Sequence, residues 1–197
     1  MLTVAIQAGG QSQRMGRDKA LVPLAGKPLI EHLLAQVSDL GEEVLITTNN
    51  PPAYAYLDFR LVSDPIPDMG ALAGIHTALA AAHGDTVLVL ACDLPFVCRP
   101  LLEHLISLAP KADVVIPDHD GRYEPLHAVY NKHNCLPLIE EEPAAGEKQI
   151  ISFFPSLRVL SVKEPDLSRL DERGLSFFNV NTPEDLARAE SLLADGL

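Results

Sequence analysis

The chain has 197 residues, 47% of them hydrophobic, and a formal net charge of −12 from 27 acidic and 15 basic side chains. That length and composition fit one domain with a sizeable core. The acidic balance repels phosphate backbones and excludes nucleic acid as a partner, and no apolar run is long enough to span a membrane. Cys92, Cys98 and Cys135 are odd in number and lack the spacing of a zinc or redox pair. The apolar start carries no basic leader segment, so the expectation is a cytoplasmic protein with reduced cysteines.

In chain order, residues 2–8 read as a first strand and 28–37 as a helix with proline at its first turn. Strands follow at 43–48 and 60–63. Residues 71–83 form an alanine-rich helix, apolar nearly all round and therefore buried. Residues 86–91 are apolar without alternation, as a central parallel strand covered on both faces should be. A helix at 100–108 and a strand at 112–117 continue the alternation, which predicts an α/β fold with a mostly parallel sheet. The texture then changes: a turn at 119–122, a strand at 124–130 returning beside its predecessor, and helices at 132–142 and 147–154. Short strands at 158–162 and 177–180 lead to a last helix, with Thr182 as N-cap, Pro183 at the first helical position and Asp185 three after the cap.

Two features carry chemistry. The first strand runs into Gly9-Gly10 and then a basic loop with Arg14, Arg17 and Lys19. Backbone N–H groups of a glycine-rich turn converge on an anion, and Arg14 and Lys19 add full charges. The bland alternative is a solvated loop whose Arg17-Asp18-Lys19 charges pair with one another. A Walker A loop is excluded, because five residues separate Gly10 from Gly16, and no GxGxxG triplet occurs. The second feature is a pair of carboxylates, Asp93 and Asp64, each just past the end of a strand. That edge of an open parallel sheet faces the ligand crevice, although an Asp before a proline is also a common turn residue. Asp93 is placed to hold Mg²⁺, a hard cation that bridges phosphates.

At these residues the chain resembles a known family. Ala8-Gly9-Gly10-Gln11-Ser12-Gln13-Arg14-Met15-Gly16-Arg17-Asp18-Lys19-Ala20-Leu21 is similar to the signature of the nucleotidyltransferase family that contains molybdenum cofactor guanylyltransferase. Gly26-Lys27-Pro28-Leu29, Gly70–Ile75, Cys92-Asp93-Leu94-Pro95, Glu124–Tyr130 and Asn179-Val180-Asn181-Thr182-Pro183-Glu184-Asp185-Leu186 follow in the family's order. The resemblance implies a three-layer Rossmann-like fold of the nucleotide-diphospho-sugar transferase type. Residues 1–118 form its nucleotide-binding half and 119–197 its acceptor half. It implies transfer of GMP from GTP to the phosphate of Mo-molybdopterin, with Mg²⁺ as cofactor. Gln7, Ala8, Gly9, Gly10, Thr47, Asp64, Lys19 and Asp93 would contact the nucleotide. Lys19, Arg14 and Asp93 would carry the catalysis, with Asp93 on the metal. Asn179 and Asn181 would face the pterin, and His127 would either face it or pack in the core. Molybdoenzymes or cofactor-delivery proteins would be transient partners. The family has Leu where this chain has Gln7, and many members have Asn where it has Thr47.

Three rivals remain. One is cytidylyl transfer to the same pterin, whose family branch resembles Ala-Ala-Gly with Pro before the Lys. A second is another sugar-phosphate or terpenoid nucleotidyltransferase. The third, of a different class, is a catalytically silent nucleotide-binding subunit docked on a molybdoenzyme.

Overall fold

The computed structural model describes residues 1–8, 18–63, 71–141 and 150–196. The elements in chain order are strand β1 (Leu2–Gln7), the short pair β2 (Pro23–Leu24) and β3 (Lys27–Pro28), helix α1 (Leu29–Val37), β4 (Glu43–Thr47), the short α2 (Pro51–Tyr54) and β5 (Arg60–Val62). Then come α3 (Ala71–Ala81), β6 (Thr86–Ala91), α4 (Arg99–Leu108), β7 (Val114–His119), β8 (Arg122–Tyr123), β9 (His127–Asn131) and α5 (Lys132–Glu141). β10 (Val159–Val162), α6 (Asp166–Leu170) and α7 (Pro183–Ala194) complete the chain.

The main sheet has the order β10-β7-β9-β6-β1-β4-β5, with β8 paired to β7. β5, β4, β1 and β6 run parallel, and β7 and β10 are parallel to each other. β9 alone in the main path is antiparallel, inserted between β6 and β7. This is a mostly parallel sheet in a three-layer α/β architecture. Alternate residues of the strands point to opposite faces. Val4, Ile6, Ile46, Leu88 and Leu90 pack with α1 and α4 through Ile30, Leu33, Leu101 and Leu105. Ala5, Leu45, Val87 and Val89 pack with α3 and α5 through Leu72, Ile75, Leu79 and Ile139. A satellite cluster of Val22, Leu24, Leu29, Phe96, Val180 and Ala189 seats α7 beside the small hairpin.

Most strands and helices fall within a few residues of the sequence expectation. The extended segment expected at 177–180 is not a strand: residues 176–177 form a turn, and Val180 N–H donates instead to the carbonyl of Asp93 at 3.0 Å. That single bond to the end of β6 leaves no ladder for a strand to join. The helix expected at 147–154 begins outside the described residues. Its remainder is turn followed by one 3₁₀ turn at Phe154–Ser156, with Pro155 at its start where no N–H is needed. The hairpins at Ala25-Gly26 and Asp120-Gly121 are tight two-residue turns with φ of 48° and 82°, and 51° and 75°. Glycine supplies the second of each pair of left-handed residues without Cβ strain. Among the described residues no helix is long and apolar enough to cross a membrane.

Candidate functional site

β1, β4, β5 and β6 end at one edge of the sheet, and their ends are tied to one another. Ala8 N–H donates to the Thr47 carbonyl at 2.8 Å, Thr48 N–H to Val62 at 2.9 Å, and Cys92 N–H to Gln7 at 3.1 Å. The hydroxyl of fully buried Tyr54 donates to the carbonyl of Ala8 at 3.3 Å. The strand ends at this edge therefore form a fixed platform.

Lys19 reaches this platform from one 3₁₀ turn, Lys19–Leu21. Asp18 caps that turn, its Oδ1 accepting from Ala20 N–H at 3.3 Å, and Ala20 is fully buried beneath it. The Lys19 ammonium is directed at Asp93: it forms an ion pair with Oδ2 and also donates to Asn181 Oδ1 at 2.5 Å. The Lys19 and Asp93 side chains are 16% and 15% exposed, so the pair is held largely out of water. The second carboxylate oxygen of Asp93, Oδ1, is buried and has no hydrogen-bond partner among the described residues. Asn181 is positioned from behind. Asp185 Oδ2 accepts from both Asn181 N–H and Thr182 N–H at 2.9 Å, while Thr182 Oγ1 closes the capping box on Asp185 N–H at 3.1 Å. The backbone donor of Asn181, foremost, holds the Asp185 carboxyl below its ordinary range. Next to Asp93, burial and then the neighbouring carboxylate raise the Cys92 thiol far above its usual pKa, so Cys92 is no nucleophile.

Of the residues singled out in the sequence, Lys19, Asp93 and Asn181 converge. Gln7 and Thr47 are rung partners in the β1–β4 ladder, both buried, beside that cluster. Asn179 is half-buried and turned onto its own segment, its Nδ2 donating to the Phe177 carbonyl at 3.1 Å. His127 is 1% exposed, and neither ring nitrogen has a partner among the described residues. Burial pushes its pKa down to about 4 against the opposing pull of Asp171, so the ring is neutral at pH 7. It lies edge-on to Phe177 at 5.1 Å, and Phe177 stacks on His119 at 4.6 Å. Gly9, Gly10, Arg14 and Asp64 lie outside the described residues. Three supporting residues escaped the sequence reading. Asp18 reads as loop charge until its cap is seen. Tyr54 sits in an unremarkable Pro-Pro-Ala-Tyr run. Asp185 was legible as a cap but not as the brace of Asn181.

A lysine–carboxylate pair held largely out of water thus stands at the carboxyl edge of the parallel sheet, the edge at which open α/β sheets bind their ligands. Comparison with known proteins agrees. Residues 4–159 match the family described as MobA-like NTP transferase domain, and the chain belongs to that family of nucleotidyltransferases. A probable molybdenum cofactor guanylyltransferase of Pelotomaculum thermopropionicum is 38% identical over 95% of this chain and 91% of its own. One of Natranaerobius thermophilus, described in the same words, is 36% identical over 98% and 96%. The crystal structure of molybdopterin-guanine dinucleotide biosynthesis protein A from Archaeoglobus fulgidus is 33% identical, superposes with a TM-score of 0.84, and is covered over 99% of its length by 98% of this chain.

Proposed function

We propose that the protein transfers GMP from GTP to the terminal phosphate of Mo-molybdopterin, giving the guanine dinucleotide form of the cofactor and pyrophosphate. The observation that carries this reading is the convergence of Lys19, Asp93 and Asn181 at the strand ends. The names of full-length relatives at 33–38% identity narrow the class to guanylyl transfer.

The reaction asks little of acid–base chemistry. The nucleophile is a phosphate oxygen of the acceptor, largely deprotonated at neutral pH because a phosphomonoester's second pKa is about 6. It attacks the α-phosphorus of GTP; a P–O bond forms there as the bond to the β-phosphate's bridging oxygen breaks, and pyrophosphate leaves. What the protein must supply is alignment and charge compensation. Lys19 compensates charge on the α-phosphate and the leaving pyrophosphate, assisted by Arg14 and the backbone N–H groups at Gly9 and Gly10. Gln7, Ala8, Thr47 and Asp64 line the nucleotide side. Asn181, with Asn179 and His127 on the same half, faces the acceptor. Residues 1–118 thus serve the nucleotide and 119–197 the acceptor, and the Lys19–Asn181 contact joins the two halves.

The donor set fits Mg²⁺. Asp93 Oδ1 is a bare buried carboxylate oxygen, and among the described residues no group of three or more His, Cys, Asp or Glu forms a metal cage. One carboxylate, substrate phosphates and water are how Mg²⁺ is commonly held. Asp93 would hold it, and the ion would supply neutralisation of phosphate charge there. We place the reaction in the cytoplasm, with product passing to a molybdoenzyme or delivery protein. A turnover screen of GTP, CTP, ATP and UTP with Mg²⁺ and Mo-molybdopterin tests the reading. Pyrophosphate release with GTP well ahead of the others is expected. CTP matching or exceeding GTP would overturn guanylyl transfer in favour of cytidylyl transfer.

A further inference from the structure

The corner between β8 and β9 is pinned through its backbone. Glu124 N–H donates to the Pro117 carbonyl at 3.1 Å, and His127 N–H closes a turn on the Glu124 carbonyl at 2.9 Å. The Pro125 carbonyl accepts from the Tyr130 hydroxyl at 2.7 Å, and the Leu126 carbonyl from Ala91 N–H at 2.9 Å. That last bond ties the corner to the end of β6, just before Asp93. Two polar side chains of the corner are left over. The Glu124 carboxylate is half-buried and makes no hydrogen bond or ion pair with another described residue. Burial raises its pKa above the usual carboxylate value, against the pull of His119 and then Arg122. His127, 1% exposed, has no partner on either ring nitrogen among the described residues.

The rings beside them form a short ladder. His127 meets Phe177 edge-on at 5.1 Å, and His119 stacks on Phe177 at 4.6 Å with an interplanar angle of 27°. Phe177 rests against the apolar core, while the His119 side chain is 35% exposed, so the ladder ends in an imidazole with open surface. Phe177 belongs to the arm that also carries Asn181, whose side chain accepts from Lys19. The ladder is thus tied to the reacting cluster twice, through Ala91 and through this arm. Folding alone would favour an apolar residue at position 124 or a partner for its carboxylate. A half-buried carboxylate without a partner, beside open stacking surface, suits a flat ring with N–H donors on its edge.

Taking Mo-molybdopterin as the acceptor, as in the reading above, we propose that Glu124 and His119 read its pterin ring. The ring continues the ladder on the open face of His119. Its 2-amino group and the adjacent ring N–H donate together to the two oxygens of the Glu124 carboxylate. An ionised carboxylate only accepts, so the pairing has one sense. A ring with an oxo group in place of the 2-amino group would set oxygen against oxygen and be rejected. Guanine presents the same two donors, but Glu124 stands on the β9 and β7 side of β6, whereas Gln7 and Thr47 end β1 and β4 on the other.

Initial rates separate the two substrates: Mo-molybdopterin is varied at saturating GTP and Mg²⁺, then GTP at saturating Mo-molybdopterin. Glu124→Gln keeps the shape of the side chain and replaces one acceptor oxygen by a donor. The KM for Mo-molybdopterin is expected to rise roughly 10–100-fold, with kcat, the KM for GTP and the melting temperature near wild type. His119→Ala should raise the same KM roughly 2–10-fold, and His119→Phe, which keeps a stacking ring, should leave it at the wild-type value. An unchanged acceptor KM in Glu124→Gln overturns the inference. So does a rise confined to the KM for GTP, which would put guanine rather than the pterin on Glu124. If Glu124→Gln does not fold, the His119 pair decides, and equal acceptor KM values for its Ala and Phe variants sink the proposal. A wild-type protein that passes GMP to no Mo-molybdopterin overturns the acceptor reading itself.

Discussion

Asp113 and Asp93 are carboxylates shielded from water at opposite edges of the same sheet. Asp113, just before β7 at the amino edge, accepts from Asn134 Nδ2 at 2.7 Å and from Arg158 Nη2, N and Nε at 2.8, 2.9 and 3.2 Å. Glu43, at the start of β4 on the same edge, is likewise filled by Thr3 Oγ1, His83 N–H and Arg60 at 2.7–2.8 Å. At the carboxyl edge, Asp93 has one oxygen on Lys19 and, among the described residues, no partner for the other, and the Gln7 amide nitrogen close by likewise has none. A saturated carboxylate is finished by folding and contributes stability. An unsaturated one holds interaction free energy in reserve for a ligand.

Breaking the open carboxylate should have the largest effect. Asp93→Asn is expected to lower metal-dependent turnover on the order of 10²–10³-fold, as removal of a transition-state charge partner does. Circular dichroism and the melting temperature should barely change, because the asparagine still accepts from Lys19. Near-normal product formation by the folded variant would mean that Asp93 is structural after all.

Breaking the closed carboxylate should do the reverse. Asp113→Ala strands Arg158 N–H and Asn134, and should cost about 2–3 kcal/mol in urea unfolding while leaving turnover of the folded protein at the wild-type level. The same group sets acid stability. Arg158 foremost holds the Asp113 carboxyl well below its ordinary range. Its contribution is therefore present above the unfolded-state pKa near 4 and is lost as pH falls toward the lower folded value. Asp113→Asn should flatten the stability profile below about pH 4; an unchanged slope would show that other carboxylates dominate there.

Lys19→Ala sharpens the comparison. It removes the cation of the open pair and should slow transfer roughly 10–100-fold, the equivalent of about 1.5–3 kcal/mol for a charge-assisted contact. Arg17→Ala, tested in parallel, should have a clearly smaller effect. Equal and small effects from the two would return the loop to a solvated charge cluster.

His127 gives the smallest and most specific effect. Its folded pKa, about 4, lies below the usual value near 6.5. Between these values the unfolded chain binds the proton and the folded protein does not, so stability falls as pH drops through that window. Urea midpoints measured from pH 7 to pH 4 should lose part of this slope in His127→Leu. If the profiles coincide, His127 takes up its proton in the folded state too.

The layers, the order of strands and helices, and the cap of α7 were legible because they rest on local rules: apolar runs, proline and glycine punctuation, and a Thr-x-x-Asp box. Lys19 and Asp93 were legible as motif residues, and the resemblance spans the chain. The supporting shell was not. Tyr54, Asp18 and the brace from Asp185 to Asn181 depend on contacts between distant segments, which no periodicity announces. The 177–180 segment was misread as a strand because its apolar residues serve the packing of Phe178 and Val180 against the α7 cluster rather than a ladder.

The most direct measurement follows the phosphorus itself. GTP labelled at the α-phosphate, incubated with Mg²⁺, Mo-molybdopterin and the wild-type protein, should place the label in the molybdopterin dinucleotide, while label at the γ-phosphate leaves as pyrophosphate. Both label movements should slow on the order of 10²–10³-fold with Asp93→Asn. Label that stays in GTP, appears only as free GMP, or moves equally well in the Asp93 variant would contradict guanylyl transfer at the Lys19–Asp93–Asn181 site.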